Sequence, residues 1–430
     1  MDAPSRVQYA GLQQSAPALL SINNYHYPRG GADAMYLAHG AAFESLGWRH
    51  AWYAMQHPRN LPSAWSGYFA DEIEFDSQYT AAGRMARAVA SIWSVQAQQR
   101  LNALLSQFRP DLVHLHNIYH HLSPSILSTL RTAGIPTIMT AHDFKMACPN
   151  YRMYTQGSVC ERCRDGSVAN ALLHRCVRDS TAASALVSVE AAVHRSLRTW
   201  HRGPDRIVSP SRFLIDKMVD WGFQRSRFVH IPNPVDASRI EPQANPGTDF
   251  VYIGRLSVEK GLGPLIEAVR RADVSLTVAG EGPQSGELAD AVEASSGRIR
   301  WLGRLEAPQI QALLRSARAV VLPSQWYENA PLSVLEAFAA AKPVIATRIG
   351  GLPEMVMHGR TGWLVPVGDT DALAGMLAAV RDLPDGQVRA IGEAARAFVL
   401  TEHGWPRYLE RMMALYDELL RNTHARHRQT

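Results

Sequence analysis

The sequence predicts an α/β protein with parallel sheets, arranged in two domains. Three observations support this prediction. Short apolar runs alternate with helical patterns along the 430 residues, as in strand–helix–strand units. Runs such as VSLTV and PVIAT are apolar on both faces, which is typical of strands covered by helices on each side. The alternation starts afresh near residue 250, and a chain of this length can bury two cores.

The strands follow the apolar runs in order. We predict strands at 18–23, 50–55, 112–116, 136–140 and 206–210 in the first half, and at 250–254, 274–280, 298–303, 319–323, 343–347 and 362–366 in the second. Helical patterns separate them, for example LSVLEAFAAA after Pro331, where proline suits the first turn of a helix. A proline-rich stretch without periodicity at 231–249 is interpreted as the connection between domains.

This connection sets the predicted domain boundaries. Residues 1–243 form the first domain, with a cysteine-containing insert at about 146–180. Residues 244–405 form the second domain. Residues 406–430 form a C-terminal helix, which caps its own domain or crosses back to the first, and a basic tail.

Composition and charge favour a soluble protein with an anionic substrate. Apolar residues make up 46% and charged residues 19% of the chain, which is an ordinary soluble balance. A formal charge of +5 fits an anionic substrate or an acidic membrane surface, and it gives no reason to expect nucleic acid as a partner. The start MDAPSRVQ lacks a signal-peptide pattern, and no run approaches the roughly 20 apolar residues of a membrane helix. We therefore expect a cytoplasmic protein.

A paired glycine follows the first predicted strand. In open α/β sheets, ligands bind beyond the carboxyl ends of the strands. Gly30 and Gly31 precede a helical pattern, so a ligand can approach the backbone closely and a phosphate can lie at the helix N-terminus. The alternative is a plain strand-to-helix turn. The loop is not G-x-G-x-x-G, which argues against a standard dinucleotide site.

Two cations follow the strand at 250–254. Arg255 and Lys260 lie five residues apart in a loop flanked by glycines. A guanidinium forks onto two oxygens and an ammonium supplies a point charge, so the pair suits a diphosphate. The alternative is a solvated loop in which both cations are free of any ligand.

Two carboxylates frame the stretch ENAPLSVLE. Glu328 falls in the loop after the strand at 319–323, and Glu336 falls within the helix that follows Pro331. A carboxylate accepts two hydrogen bonds side by side, so it can bind the vicinal diol of a ribose or a hexose. The helix N-terminus between the two carboxylates can hold a diphosphate. The alternative for Glu336 is an ordinary exposed helical glutamate.

Four cysteines fall within one segment. Cys148, Cys160, Cys163 and Cys176 span 29 residues and include a C-x2-C pair. Disulfides are not expected in a cytoplasmic chain, and this clustering favours a structural tetrahedral zinc site. The alternatives are four free thiols or a redox pair.

The first half also contains a histidine-rich stretch, DLVHLHNIYHH. A His-x-His strand can indicate a metal site, but we favour His114 and His116 as packed residues on one side of a strand. His116 and Asn117 lie near the carboxyl end of this strand. For these two residues, contact with an acceptor is the alternative to packing.

Taken together, the motifs resemble those of the retaining family-4 glycosyltransferases with the GT-B fold, in which two Rossmann-like domains face a central cleft. The matching pieces run in order: GGA near residue 30, HD at 142–143, GRLSVEKG at 254–261, AGEGP at 279–283, LGRL at 302–305, ENAPLSVLEAFAAAKPVIATRIGGLPEMV at 328–356 and HGRTGWLVPVGD at 358–369. The resemblance covers nearly the whole chain and is densest in the second half.

The resemblance implies roles at the donor sugar nucleotide. Arg255 and Lys260 match the pair that neutralises the leaving diphosphate. Glu336 matches the carboxylate that binds the ribose, and Glu328 matches the one that contacts hydroxyls of the donor sugar. The residues between them are implied to contact the donor as well: Asn329, Ala330, Pro331 and Leu332.

Further roles follow from the same resemblance. Gly30 and Gly31 match the loop beneath the diphosphate. His142 matches a histidine at the donor sugar, with Asp143 beside it on the acceptor side, and Arg304 lies where the base is approached.

The resemblance implies the reaction and its partners. The chain is expected to transfer a hexosyl or N-acetylhexosaminyl group from a nucleoside-diphosphate sugar to a glycan or lipid-linked acceptor, without a catalytic metal. Same-face attack, with a donor phosphate oxygen taking the acceptor's proton, leaves no need for a general base. The implied role is bacterial cell-surface polysaccharide or lipopolysaccharide synthesis, with peripheral contact at the inner membrane. The alternatives are a sugar-nucleotide epimerase on the same fold and a non-catalytic, zinc-stabilised interaction protein.

Overall fold

A computed structural model of the protein describes residues 16–74, 79–243 and 245–427. The chain divides into two compact units. Unit 1 ends at Met139 and also includes the C-terminal residues from Asn422, while unit 2 comprises Thr140–Arg421. The domain boundaries predicted at 243 and 405 remain a prediction.

Unit 1 is built on a parallel sheet. Its strands are β1 (Ala18–Ile22), β2 (Arg49–Tyr53), β3 (Leu112–Leu115) and β4 (Thr137–Thr140), and its helices are α1 (Gly31–Ser45), α2 (Ala81–Ile92), α3 (Val95–Gln107) and α4 (Ile126–Thr132). The strands pair in the order β2-β1-β3-β4, all parallel. Every residue of β1, β3 and β4 is buried, as expected for strands covered on both faces.

The first part of unit 2 contains the cysteine segment. Its strands are β5 (Tyr154–Thr155), β6 (Ser158–Val159), β7 (Arg206–Ser209) and β8 (Phe228–His230), and its helices are α5 (Asn170–Leu173), α6 (Thr181–Ser196), α7 (Thr199–Arg202) and α8 (Arg212–Asp220). β5 and β6 form a short antiparallel hairpin, and β7 and β8 pair in parallel. The hairpin and β8 were not predicted from the sequence, because each strand has only two or three residues.

The remainder of unit 2 is a second parallel sheet with its helices. The strands are β9 (Asp249–Ile253), β10 (Leu276–Ala279), β11 (Ile299–Trp301), β12 (Ala317–Leu322), β13 (Val344–Thr347) and β14 (Gly362–Val365). The helices are α9 (Leu262–Ala272), α10 (Ser285–Ala294), α11 (Ala307–Ser316), α12 (Leu332–Ala339), α13 (Leu352–Met355), α14 (Thr370–Asp382), α15 (Asp385–Glu402) and α16 (Trp405–His427).

Alternate residues of the second sheet pack into two different cores. On β9, Val251 belongs to one hydrophobic cluster, and Phe250 and Tyr252 belong to the other. The first cluster includes Phe338 of α12, and the second includes Leu265 of α9. Helices therefore cover both faces of the sheet, which explains why its strands read as continuous apolar runs. The predicted fold class, with two parallel-sheet α/β domains, is confirmed.

The strand order of the second sheet is β11-β10-β9-β12-β13-β14. From the central strand β9 the chain builds outwards to β11, and then returns to place β12 on the other side of β9. The carboxyl ends of β9 and β12 therefore flank a topological switch point. Ligands of open α/β sheets bind in the crevice at this position.

Within the described ranges, none of the helices has both the length and the apolar composition that spanning a membrane requires.

Candidate functional site

Two loops leave the switch point of the second sheet. The first loop, residues 254–261, follows β9, and the second loop, residues 323–331, follows β12. Gly261 has φ of +76°, and a Cβ atom at this position would lie 2.0 Å from the carbonyl oxygen of Pro323. The backbone N–H of Gln325 donates to the carbonyl oxygen of Glu259 at 2.9 Å. The two loops are therefore in direct backbone contact, and this contact requires glycine at position 261.

Glu328 is the centre of the charge arrangement between these loops. Its residue surface is only 4% exposed. Its Oε1 atom accepts three hydrogen bonds, from Lys260 Nζ at 2.7 Å, Ser324 Oγ at 2.6 Å and Trp326 Nε1 at 2.8 Å. The ammonium of Lys260 also lies 4.9 Å from the centre of the Trp326 ring. In the described part of the chain these bonds all go to Oε1, which leaves Oε2 as the oxygen for a ligand.

The surroundings of Glu328 keep it ionised. Burial acts to raise the pKa of its carboxyl group, but the charge of Lys260 and the hydrogen bonds from Lys260, Ser324 and Trp326 hold the pKa below its ordinary value. From the sequence, Lys260 was predicted to contact a diphosphate, and neither Ser324 nor Trp326 was singled out. The sequence feature that could have identified these two residues is their position in the loop just before Glu328.

A glycine pair after β13 fixes the backbone of the second loop. The N–H of Gly351 donates to the carbonyl oxygen of Glu328 at 2.7 Å. A Cβ atom at Gly350, where φ is +59°, would lie 2.2 Å from that same oxygen, and one at Gly351 would lie 2.0 Å from the carbonyl oxygen of Asn329. The close approach leaves no room for a side chain at either position.

Glu336 lies in α12 in a different environment from Glu328. It is half-buried, and burial raises the pKa of its carboxyl group to about 7. Among the described residues it forms no ion pair. A ligand that donates hydrogen bonds to this carboxylate stabilises its charged form and lowers its pKa.

The N-terminus of α12 lies between the two carboxylates. Pro331 precedes its first residue, no side chain caps this end, and its first turn contains no acidic residue. The first N–H groups of a helix have no partner inside the helix, and the helix dipole adds partial positive charge there. The end of α12 is therefore suited to an anion such as a phosphate. The carbonyl oxygen of Ala330 accepts a hydrogen bond from Asn233 Nδ2 at 3.1 Å.

Two predicted cations of unit 2 are exposed. Arg255 lies in the first loop, where its carbonyl oxygen accepts a hydrogen bond from the hydroxyl of Tyr252 at 2.7 Å. Arg304 lies in the loop that follows β11. Both loops issue from the carboxyl edge of the sheet, so both guanidinium groups lie on its ligand-binding side.

Asn329 connects the second loop to the segment that contains His142. Its Nδ2 donates to the carbonyl oxygens of Ala141 at 3.0 Å and His142 at 3.3 Å, and Ser211 Oγ donates to its Oδ1 at 2.6 Å. Burial lowers the pKa of His142 to about 4, so its imidazole is neutral at neutral pH. The carboxylate of Asp143 accepts a hydrogen bond from the backbone N–H of Lys145 at 2.9 Å. The side chain of Asn329 is thus engaged in holding this segment.

The predicted glycine loop lies in unit 1. Gly30 is the N-cap of α1 in an extended conformation, and α1 begins at Gly31. Apart from its chain neighbours and the backbone of its own helix, no described residue has an atom within 4 Å of the position that a Cβ at Gly30 would take. The loop therefore leaves open space at a helix N-terminus, and its predicted contact with a diphosphate stays a prediction.

The two residues of unit 1 considered for contact with an acceptor substrate, His116 and Asn117, differ in how deeply they are buried. His116 is fully buried, and its ring stacks on that of His114 with 4.7 Å between ring centres. The ligand atoms of these two residues and of His39 all lie within 4.8 Å of one another. Asn117 is half-buried, and its N–H donates to Asn23 Oδ1 at 3.0 Å. His114 and His116 thus lie on one side of β3, and His116 has no exposed surface in this unit.

The four cysteines line one cavity in unit 2. The cavity has a volume of about 10 Å³ and is also lined by His174. All four thiols are free of disulfide bonds. Burial raises the pKa of Cys148 to about 12 and that of Cys163 to about 11. A redox pair normally depends on a thiol of lowered pKa, so this environment argues against that alternative.

Comparison with known families gives two matches along the chain. Residues 29–239 match the model described as Glycosyltransferase Family 4, and residues 247–382 match the model described as Glycosyl transferases group 1. The two matches are consecutive and together cover most of the described residues.

Curated relatives include two mycobacterial enzymes. The chain is 34% identical over 219 residues to glycogen synthase from Mycobacterium tuberculosis, which covers 47% of this chain and 52% of that protein. The chain therefore spans about half the length of this relative. It is 29% identical over 338 residues to alpha-maltose-1-phosphate synthase from Mycolicibacterium smegmatis, which covers 74% of this chain and 82% of that protein.

Solved structures with the same fold cover nearly the whole chain. Sucrose-phosphate synthase from Thermosynechococcus elongatus matches with a TM-score of 0.70 and 19% identity, covering 94% of this chain and 100% of that one. HepE from Anabaena, in complex with UDP and glucose, matches with a TM-score of 0.66 and 14% identity, covering the same shares. At these identities the likeness concerns the fold.

Proposed function

Because the chain belongs to the family-4 glycosyltransferases, we propose that it transfers a sugar from a nucleoside-diphosphate sugar to a glycan or lipid-linked acceptor, with retention of configuration at the anomeric carbon. The observation that carries this proposal is the pairing of Lys260 with Glu328 at the switch point of the second sheet, next to the uncapped N-terminus of α12. This arrangement combines positive charge for a diphosphate with oxygen acceptors for sugar hydroxyls.

Each part of the site has a proposed partner on the donor. Lys260 and Arg255 contact the diphosphate together with the first N–H groups of α12. The carboxylate of Glu336 accepts hydrogen bonds from the two ribose hydroxyls. Glu328 Oε2 accepts a hydrogen bond from the transferred sugar. UDP is the first nucleotide to test, since HepE was solved with UDP and glucose.

The proposed reaction breaks the bond between the anomeric carbon and a phosphate oxygen. The leaving nucleoside diphosphate gains negative charge as this bond breaks, and fixed cations and N–H groups stabilise that charge in the transition state. The acceptor hydroxyl attacks from the same face and gives its proton to an oxygen of the leaving phosphate, which accounts for retention without a protein base. Lys260 supplies the charge that a divalent metal supplies in other transferases, so we propose transfer without a metal at the diphosphate.

His142 has a positioning role in this proposal. With its pKa at about 4, its imidazole stays neutral, so it can hydrogen-bond to the donor sugar without adding charge near the anomeric carbon. Asn329 fixes the backbone of His142 through its carboxamide. We propose that the acceptor is a bacterial cell-surface glycan or its lipid-linked precursor, reached from the cytoplasmic face of the inner membrane.

Nucleotide binding and product analysis test the proposal. Purified protein, without added divalent metal, is titrated with UDP, GDP and ADP, and unfolding is followed by heating. A ligand at 100 times its Kd stabilises a protein by about 2.7 kcal/mol, so one diphosphate should raise Tm clearly. The matching nucleotide sugar is then incubated with glycan acceptors, and the anomeric configuration of the product is read by NMR. An Arg389→Ala variant, which changes an exposed arginine of α15, is the control.

The same experiment separates this proposal from its alternatives. An α-linked product from an α-linked donor supports it. Epimerised donor formed without acceptor would replace it with the epimerase alternative, and the lack of any shift with all three diphosphates would contradict a donor site altogether. Transfer that requires added Mg²⁺ would contradict metal independence.

A further inference from the structure

The cysteine segment, defined here as residues 148–176, brings three separate parts of the chain to one cavity. Cys148 precedes the β5–β6 hairpin, Cys160 and Cys163 follow it, and Cys176 follows α5. A volume of about 10 Å³ holds one body of the size of a water molecule. A metal ion is of comparable size, whereas an organic cofactor is far too large for this space.

Hydrogen bonds link two of the sulfur atoms to neighbouring residues of the segment. The thiol of Cys148 donates to Asn150 Oδ1 at 3.0 Å, and Cys160 Sγ accepts from the guanidinium of Arg162 at 3.6 Å. Hydrogen bonds around a metal site orient its ligands.

The sulfur atoms are not yet at the spacing of a metal-bound set. No three of the four, all of which the structure describes, lie within 4.8 Å of one another. Tetrahedral zinc with bonds of about 2.3 Å places its sulfurs roughly 3.8 Å apart. Binding of one zinc ion therefore requires the sulfur atoms to move closer together.

We propose that Cys148, Cys160, Cys163 and Cys176 bind one Zn²⁺ ion as thiolates, and that this ion fixes the two loops of the nucleotide-sugar site through Glu161 and Arg152. Four thiols around one small cavity match a structural zinc site. The coupling to the loops rests on the function proposed above, whereas the metal site itself does not.

The first connection runs through the C-x2-C pair. Glu161 lies between Cys160 and Cys163, and its Oε1 accepts hydrogen bonds from Tyr327 at 2.9 Å and Lys217 at 2.7 Å. Tyr327 directly precedes Glu328 in the second loop. A metal that fixes the C-x2-C turn therefore fixes the position of the residue next to Glu328.

The second connection runs through the start of the segment. Arg152 lies between Cys148 and the hairpin, and its Nη1 is 3.3 Å from Glu259 Oε1. Glu259 is buried and directly precedes Lys260 in the first loop. The cysteine segment thus holds both members of the Lys260–Glu328 pair through their neighbours, and loss of the metal loosens both loops at once.

Metal analysis of the full chain tests the site. Protein expressed with zinc should contain about one zinc per chain by plasma mass spectrometry, and the Cys160→Ser/Cys163→Ser double variant should contain almost none. Asp165→Asn, which changes an exposed residue of the same segment, should keep the metal. Cobalt added to zinc-depleted wild-type protein should give thiolate-to-cobalt charge-transfer bands and strong ligand-field bands of tetrahedral sites. Because the cobalt spectrum is recorded on wild-type protein, it tests the site even if the double variant fails to fold.

The metal site and the coupling are judged by different results. Wild-type protein that carries no zinc, gives no cobalt bands and reacts with a thiol reagent at all four cysteines overturns the metal site, whatever the transfer activity. The Glu161→Gln variant should keep its zinc but bind the nucleotide sugar about tenfold more weakly, since Tyr327 and Lys217 then donate to a neutral oxygen and the ion pair with Lys217 is lost. Full zinc with unchanged donor affinity in Glu161→Gln overturns the coupling and leaves the metal site. Zinc binding without any affinity for nucleoside diphosphates indicates that the proposed function has failed and the metal site has not.

Discussion

The second loop and helix α12 each carry one carboxylate of the ENAPLSVLE stretch, and the surroundings shift the pKa values of these two carboxylates in opposite directions. Glu328 in the loop is buried beside Lys260, and its pKa is held below the ordinary value. Glu336 in the helix has no such cation among the described residues, and burial raises its pKa to about 7. The seven residues between them separate a carboxylate that is neutralised within the protein from one that is not.

This difference shows how one motif can divide two tasks. The charge of Glu328 is fixed before any ligand arrives, as an electrostatic site needs in order to avoid reorganisation during the reaction. The charge of Glu336 is costly in the free protein and becomes favourable when a diol donates hydrogen bonds to it. We therefore expect substitutions in the second loop to affect the rate of transfer, and substitutions at Glu336 to affect binding of the nucleotide.

The largest effect is expected from Lys260→Ala. This change removes the cation from the diphosphate and also leaves Glu328 buried with only neutral donors. Loss of one fixed transition-state donor costs about 10² to 10³ in kcat, and this variant should lose at least that much. The measurement is kcat with saturating nucleotide sugar, with Arg389→Ala as the control for charge. A kcat within threefold of wild type would show that the loop charge has no part in the reaction.

A smaller loss of about 10- to 100-fold in kcat/KM is expected from Glu328→Gln. The amide keeps the shape of the side chain but loses the charged acceptor, and hydrogen bonds to charged groups are worth about 1.5 to 3 kcal/mol. Because Lys260 and Glu328 are 2.7 Å apart, their effects should not add. A Lys260→Ala/Glu328→Gln double variant whose loss equals the product of the single losses would contradict the pairing. Melting curves of all three variants control for folding.

A pH-dependent effect of about ninefold is expected at Glu336. With a pKa of about 7, the ionised fraction rises from about a tenth at pH 6 to about nine tenths at pH 8. Affinity for the nucleotide sugar should rise with pH over this range, and Glu336→Gln should bind weakly with a flat profile. A nucleotide sugar is used because its diphosphate has no terminal phosphate that titrates near pH 7.

The same pKa gives a prediction for the free protein. The folded chain binds the Glu336 proton more tightly than the unfolded chain, so the free energy of unfolding should fall as pH rises from about 4.5 to about 7. In the Glu336→Gln variant, the free energy of unfolding should fall less over this pH range, because the variant has no carboxyl group at position 336 to titrate. If both proteins lose stability equally across this range, Glu336 is ionised in the free protein and the contrast with Glu328 disappears.

The smallest effect, about threefold on donor affinity, is expected from Tyr327→Phe. This change removes one neutral hydrogen-bond donor from Glu161, while Lys217 remains bound to the same oxygen. Neutral hydrogen bonds contribute about 0.5 to 1.5 kcal/mol. Isothermal titration with the nucleotide sugar measures the change, and Tyr68→Phe in unit 1 is the control. A loss as large as that of Glu328→Gln would mean that Tyr327 contacts the donor directly.

Most of the fold could be predicted from the sequence, because parallel strands covered on both faces leave a strong apolar pattern. The predicted strand at 343–347 corresponds to β13 at Val344–Thr347, and the one at 18–23 to β1 at Ala18–Ile22. β8 escaped prediction because its three residues, FVH, carry too short a pattern. The β5–β6 hairpin escaped because turn geometry, and not an apolar alternation, defines it.

The candidate site was predictable in its charged residues but not in their partners. Spacing and resemblance pointed to Lys260, Glu328 and Glu336. The hydrogen bonds from Ser324 and Trp326 depend on the path of the second loop, which the packing of Gly350 against it determines. The roles predicted for Gly30 and Arg304 rest on a bound ligand and remain predictions.

The packing of Gly350 and Gly351 against the second loop has a consequence for variation in this protein. A single methyl group at either position would collide with the backbone at residues 328 and 329, although neither glycine carries a group that could react or bind a charge. Random mutagenesis should therefore yield inactive clones whose substitutions map here, several bonds away from any functional side chain. Transfer activity is in this sense as sensitive to an added carbon atom behind the loop as to the loss of a charge within it.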